Sequence, residues 1–265
     1  MQKILQIIMD YAPGDLALAE VVSALSAEIP ADYHWHTTSV ASFDTISTGF
    51  VTAQLARVSH DNSNLIIYAN CAPRKDLKIA RANNEGEGLL YGVLTNGVKI
   101  FIVNSGHSLS FVKSDLRELR KVNVSDAGSQ FRSRDNFPKA IGSYLAEDYS
   151  ILGEELDPMK VIPDAPTSAI GYVDSFGNLK TTIRDGDELI QKITSGQRLS
   201  IEINGVTMLA TASTGSFNVQ EGDIAFSPGS SGHDKRYWEI FQRGASAWRT
   251  YKKPSPGSKI DVKLV

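Results

Sequence analysis

The sequence predicts an α/β domain followed by a smaller all-β domain, and three observations carry that expectation. An apolar run, Ile4 to Met9, ends at Asp10 and leads through a turn into a helical pattern, the strand–loop–helix opening of an α/β unit. Pro158, Pro163 and Pro166 crowd a stretch without periodicity, which marks a linker. Beyond it, short alternating runs separated by turn residues indicate a small β domain. The expected division is 1–157, a linker over 158–166, and 167–265.

Along the chain, Leu16, Ala19, Val22 and Leu25 recur at helical spacing, with Asp15 placed to cap the start. A second helix is expected over Asp44 to Val58, with Ile46, Phe50, Ala53 and Arg57 on one side, and a buried strand over Asn64 to Ala69. Gly88 to Leu94 and Val98 to Asn104 read as strands around Thr95-Asn96-Gly97, since Asn-Gly favours a tight turn. Phe137 to Leu145 is helical, with Pro138 tolerated in the first turn. In the second domain, strands are expected at Ala169–Val173, Leu199–Ile203, Val206–Thr211, Asp223–Phe226, Trp238–Gln242 and Ile260–Val265.

Composition narrows the function classes. The 265 residues carry 27 Lys and Arg against 30 Asp and Glu, a formal net charge of −3, which argues against nucleic-acid binding through bulk positive charge. A single cysteine, Cys71, excludes an intrachain disulfide and fits a reducing compartment. There is no apolar run of about 18 residues, so no membrane span is expected. Met1 to Met9 is too short and too lightly charged for a leader, and a cytoplasmic protein is expected. His34 and His36 share a strand face without a Cys pair or a His-Glu helix, so no metal is expected. The Gly-x-Ser-x-Gly elbow and the P-loop are absent, and Gly86-x-Gly88 with Gly92 misses the dinucleotide spacing.

Two loops remain as candidates. Asp10 directly follows the first strand, where ligands gather in open α/β sheets, and a carboxylate there can accept from two vicinal ribose hydroxyls. The competing role, helix capping, is already supplied by Asp15. Asp174-Ser175-Phe176-Gly177-Asn178 follows a strand and reads either as a self-bonded turn or as a recognition loop.

This second loop, with Leu179 and Thr181, resembles the D-x-FGN-x-x-T-N signature of the S-adenosylmethionine (SAM) hydroxide adenosyltransferase, fluorinase and chlorinase superfamily. Met9-Asp10-Tyr11 with Asp15 is similar to the family's N-terminal Asp-aromatic loop, and Ser42-Phe43-Asp44 to its aromatic-Asp segment. Leu94-Thr95-Asn96-Gly97 resembles its P-D/N-N-G turn, and Phe131-Arg132-Ser133-Arg134-Asp135-Asn136-Phe137 its F-x-G/S-R-D-x-F segment. Gly229-Ser230-Ser231-Gly232 with Gly244-Ala245-Ser246-Ala247 resembles its closing pattern. The fragments are collinear and span most of the chain.

The resemblance implies an N-terminal α/β/α sandwich and a C-terminal β-barrel-like domain. It also implies a homotrimer, with the ligand between one subunit's first domain and a neighbour's second. The implied activity is nucleophilic substitution at C5′ of SAM by hydroxide or another small nucleophile. The products are methionine plus adenosine or a 5′-substituted adenosine, with no cofactor beyond SAM itself. In this likeness Asp10 holds the ribose hydroxyls, and Phe43 and Phe217 flank the adenine. Asp174 faces the methionine ammonium, Asn178 the adenine edge or its backbone surroundings, and Ser230 and Ser231 the methionine carboxylate.

The chain departs from the family at the reactive water. Where hydroxide-using members carry Asp, Arg and His, this chain has Asn70, Arg74 with a shifted gap, and Arg132. An amide accepts no proton as a carboxylate does, and Arg stays protonated. Ser133 stands where the fluorinase has serine, and its hydroxyl and backbone N–H suit an anion. Arg134 suits either anion binding or an ion pair with Asp135 or Asp10, and the inserted His233-Asp234-Lys235-Arg236 either an altered ligand tail or a solvated turn. A non-catalytic adenosyl-ligand sensor on the same scaffold is the alternative function.

Overall fold

The computed structural model describes residues 3–58, 64–72, 87–125, 127–215 and 218–265. The chain divides into two compact units, Met1–Asp164 and Ala165–Val265. It is a mixed α/β fold of two large mixed sheets with helices.

In the first unit the order is β1 (Lys3–Met9), α1 (Leu16–Glu28), β2 (Tyr33–Ser39), α2 (Thr45–Val58), β3 (Leu65–Asn70), β4 (Leu89–Leu94), β5 (Lys99–Val103) and β6 (Leu116–Val122). Then follow α3 (Arg132–Asp135), α4 (Phe137–Leu145), β7 (Leu152–Glu155) and α5 (Pro158–Val161). The sheet order is β2-β1-β3-β5-β4-β6-β7. The first four run parallel, whereas β4, β6 and β7 pair antiparallel. β3 is buried at every position, as a strand covered on both faces must be, and its run Leu-Ile-Ile-Tyr-Ala lacks alternation for that reason. Fully burying side chains such as Ile7, Ile8 and Met9 contributes about 1.5–3 kcal/mol each.

The Asn-Gly turn joins β4 to β5 as the sequence indicates, with Gly97 at φ 83°. Asp15 caps α1 by accepting from the Ala17 amide at 2.8 Å. The buried stripe of α1 is Val21 and Leu25 with Leu18 and Val22 beside them; Leu16, expected to face inward, is 73% exposed. β2 and β6 are not legible in the sequence. β2 is an edge strand exposed along most of its length, so its residues Tyr33-His34-Trp35-His36-Thr37 need no apolar face. The proline-rich stretch is not wholly irregular, since Asp157 caps the single turn of α5 through the Met159 amide.

The second unit contains β8 (Ile170–Val173), β9 (Leu179–Arg184), α6 (Glu188–Gln191), β10 (Arg198–Ile203), β11 (Val206–Ala212), β12 (Ile224–Pro228), β13 (Tyr237–Gln242), α7 (Ala247–Thr250) and β14 (Ile260–Leu264). The sheet order is β14-β10-β11-β12-β13-β9-β8, with only β11 and β12 parallel. An isolated bridge, Ala169 to Lys259, joins the chain just before the two edge strands and curls the sheet toward itself. Its core centres on Ile170, Leu199, Ile201, Ile203, Phe226 and Ile240. Among the described residues no helix is long and apolar enough to cross a membrane.

Candidate functional site

The chain passes from β1 out to β2 and returns to β3 on the other side of β1. A sheet that reverses direction in this way opens a crevice at the carboxyl ends of the two inner strands, the usual ligand position in open α/β sheets. In this register Met9 lies opposite Asn70, so the residues just beyond these positions share the crevice. They are Asp10 and Tyr11 after β1, and Asn70 and Cys71 at the end of β3.

Asp10 is held from the loop after β2. Its Oδ2 accepts the Phe43 amide at 3.0 Å, and the Val40 amide continues the ladder onto the Met9 carbonyl at 2.9 Å. Phe43 adopts φ 64°, a left-handed conformation that costs a bulky residue energy, and its side chain is 54% exposed. An exposed aromatic held in a strained backbone beside a strand-end carboxylate is not what core packing alone produces.

Below the carboxylate lies the Cys71 thiol. Burial pushes it well above its ordinary range; the nearby negative charges of Asp10 and Asp44 push the same way, and a hydrogen bond with Thr48 opposes them. Cys71 is therefore a protonated, inert wall rather than a nucleophile.

On the other side, a polar chain crosses the crevice. The Asn70 Nδ2 donates to the Tyr11 hydroxyl at 3.3 Å, and the Tyr11 hydroxyl lies 3.0 Å from Ser133 Oγ. The Tyr68 hydroxyl, held in its protonated form by burial, donates to the Ser133 carbonyl at 3.2 Å. Asn70 and Ser133 are 6% and 4% exposed, and the Tyr68–Ser133 contact is buried, whereas the two contacts through the half-buried Tyr11 are partly buried. Each is worth about 1 kcal/mol net, and leaving one unmade would cost more.

The segment carrying Ser133 is fastened independently of the crevice. Arg134 pairs with Asp135 at 2.6 Å and with Glu20 of α1 at 3.2 Å, and its guanidinium lies 4.8 Å from the Phe131 ring centre. Of the partners considered for Arg134 it takes Asp135, not Asp10, and its role is architectural. Arg132 stacks over Phe137 at 5.1 Å and donates to the Glu87 carbonyl at 3.2 Å. Its buried Nε and the buried Glu87 Oε1 have no hydrogen-bond partner among the described residues.

The sites expected in the second unit are bound up in their own turns. Asp174 Oδ1 accepts the amides of Phe176 and Asn178, and Oδ2 accepts the Asn178 side-chain amide at 3.0 Å. Both oxygens thus serve the turn, and Phe176 at its tip is 79% exposed. Gly177, at φ 81°, lies against Ser246, and the Trp248 amide donates to the Gly177 carbonyl at 2.9 Å. The two motif segments, distant in sequence, meet as architecture. Ser231 is buried and Ser230 exposed, and the Tyr237 amide donates to the Ser231 carbonyl. The 233–236 insertion is a tight turn tied back to the sheet. Arg184 donates to the Lys235 carbonyl, and Arg236 pairs with Asp185 at 3.1 Å. Arg74 and Phe217 lie outside the described residues.

Phe43 is therefore tied to Asp10, and Asn70 and Ser133 to each other through the Tyr11 hydroxyl, at the carboxyl ends of β1 and β3. Sequence reasoning placed Tyr11 in a motif but gave it no function. The signal was available: a polar aromatic one residue past a strand-end carboxylate, on a strand paired with the one that ends at Asn70.

Neither the known family models nor the curated proteins contain a match to this chain. Solved structures do. An uncharacterized conserved protein from Thermotoga maritima superposes with a TM-score of 0.77 at 14% identity, covering 98% of this chain and 100% of its own. A conserved hypothetical protein from Thermus thermophilus gives 0.67 at 14% identity, covering 99% and 100%. These likenesses establish that the whole two-unit fold recurs.

Proposed function

We propose that the protein is an adenosyl-compound-binding enzyme that substitutes at C5′ of S-adenosylmethionine, releasing methionine and adenosine or a 5′-substituted adenosine. The observation that carries this reading is the pairing of Asp10 with Phe43. A carboxylate suited to a ribose diol sits at a strand end, and its partner's strained backbone presents an exposed ring suited to a nucleobase. The ordered motif likeness supports the same choice. The reaction asks little acid–base work of the protein. The sulfonium leaves as a neutral thioether, so orientation and a dry site supply most of the catalysis.

Within this proposal the first unit is an α/β/α sandwich and the second a barrel-like domain, a view supported by the Ala169–Lys259 bridge. Self-association as a homotrimer belongs to the same reading. The sensor alternative is favoured by two features: the resemblance aligns Asn70 with a carboxylate that would take a proton, and Arg132 is turned onto Phe137.

Incubation with S-adenosylmethionine followed by chromatography tests the proposal. The expected result is time-dependent loss of substrate with equimolar methionine, and Asp10→Ala should lower affinity on the order of tenfold or more through the lost charge-assisted bonds. Tight calorimetric binding without turnover would select the sensor. No heat with any adenosyl compound would eliminate both.

A further inference from the structure

We propose that His34, His36 and Gln6 form a surface site for one exchangeable zinc ion, with two imidazole nitrogens and one amide oxygen as donors. The inference is independent of the adenosyl reading. It concerns the outer edge of the first sheet and not the carboxyl ends of its strands.

The placement follows from strand geometry. β2 runs without interruption from Tyr33 to Ser39, and successive side chains of a strand alternate between faces. His34 and His36 therefore share one face, about 6.6 Å apart along the chain at the rise of a parallel strand, and Trp35 takes the other. Two imidazoles at that spacing can converge on a single ion. β1 runs parallel to β2, with Gln6 opposite His36 and Ile4 opposite His34. Neighbouring strands lie about 4.8 Å apart, so the Gln6 side chain stands beside His36 on the same face. Sequence spacing shows no third donor, which is why the histidine pair by itself predicts no metal. The pairing of β1 with β2 supplies one.

The three side chains are available. His34 and His36 are exposed and Gln6 is half-buried, and none of them has a hydrogen bond or ion pair among the described residues. Their polar atoms are thus not spent on the fold. Nor is a cation repelled there. β2 contains no Lys, Arg, Asp or Glu. The one cation of the two strands, Lys3, projects to the opposite face, where it pairs with Asp32 at 2.9 Å and lies over the Tyr33 ring. The edges at β7 and β14 differ. They carry Glu154 and Glu155, and Asp261 and Lys263, charges of the kind that guard an edge against strand addition. The polar character of the β2 edge resides in its imidazoles and hydroxyls instead.

The donor set selects the ion. Imidazole suits zinc, copper and nickel, whereas calcium and magnesium prefer oxygen alone. Among the described residues no three His, Cys, Asp or Glu gather around one point, so the site lacks the anionic donor of a tight structural zinc centre. Three neutral donors on an exposed strand leave a fourth position to water and hold the ion reversibly.

The test titrates zinc chloride by calorimetry into the full chain and into His34→Ala, His36→Ala, Gln6→Glu and His233→Ala, with folding followed by circular dichroism. The wild type should bind one zinc per chain. His34→Ala and His36→Ala should each weaken binding about tenfold or more, because each removes a ligand. Gln6→Glu should tighten it about tenfold, because a carboxylate adds charge to the donor set, a gain that a merely structural role would not produce. His233→Ala, at the exposed pair with Asp234, should leave it unchanged. A wild type that does not bind zinc overturns the proposal. So does binding that persists in both histidine variants, or that is lost in His233→Ala. Half a zinc per chain overturns the single-chain donor set. Unmoved or weaker affinity in a folded Gln6→Glu protein overturns the third donor; should that variant not fold, undiminished affinity in Gln6→Ala overturns it instead.

Discussion

A phenylalanine at φ 64° and a glycine at φ 81° mark the two loops that the motifs singled out, but their backbones do different work. Phe43 is strained and exposed, and its amide is spent on Asp10, so the strain orients a side chain toward solvent at a strand end. Gly177 is relaxed, because glycine reaches that conformation without penalty, and it is fixed by what it touches. A methyl group there would collide with Ser246, which caps α7. Gly177→Ala should therefore destabilise the protein by on the order of 2 kcal/mol, read as a lower urea midpoint at unchanged slope. An unchanged midpoint would mean that the Ser246 contact is easily relieved. The sequence marked both loops and could not separate these roles, because Asp and Asn in a turn read alike whether they bind a guest or each other. Asp174 accepts from Asn178 within its turn.

At the level of elements, α3 is a single turn that would have little stability alone, and it is built from ion pairs instead of apolar contacts. Arg134 joins Asp135 within the turn to Glu20 on α1, and Ser129 donates to Asp135 at 2.5 Å. Those bonds, the Arg134 one foremost, lower the Asp135 carboxyl from 3.8 to about 2. The sign follows directly. The folded value lies below the unfolded one, so the stabilisation is complete above pH of about 4 and is lost as pH falls toward about 2. Thermal melts from pH 5 to pH 2 should show a smaller acid-induced decline for Asp135→Asn than for the wild type. Parallel curves would remove Asp135 from the clamp. The consequence for the site is that Ser133 keeps its place at neutral pH, because both neighbours in its turn are held from outside the crevice. β2 shows the opposite economy, with polar residues on an exposed edge and hydrogen bonds to one neighbour only.

For the whole molecule, each unit carries a hydrophobic core of its own, one around β1, β3, β5, α1 and α4, the other around β8 to β14. A unit with its own core is able to fold by itself. The 165–265 fragment, expressed alone, should give a β-rich circular dichroism spectrum and a cooperative melt; a non-cooperative melt would show that this core needs the first unit. By itself the sequence determined the elements whose signal is local. These are the Asn-Gly hairpin, the capped α1, the buried run of β3, and the change of character after Asp157. Residue order was enough there because caps, turns and buried runs depend on neighbours a few positions away. Only the tertiary structure decided that Asn70, Tyr11 and Ser133 touch, that Arg134 pairs with Glu20, and that Gly177 meets Ser246. Those contacts join residues far apart along the chain. In the first unit parallel strands bring distant loops to one edge of the sheet, and in the second the antiparallel pairing of β13 with β9 brings the Gly177 loop to Ser246; both placements depend on strand order and leave no local trace.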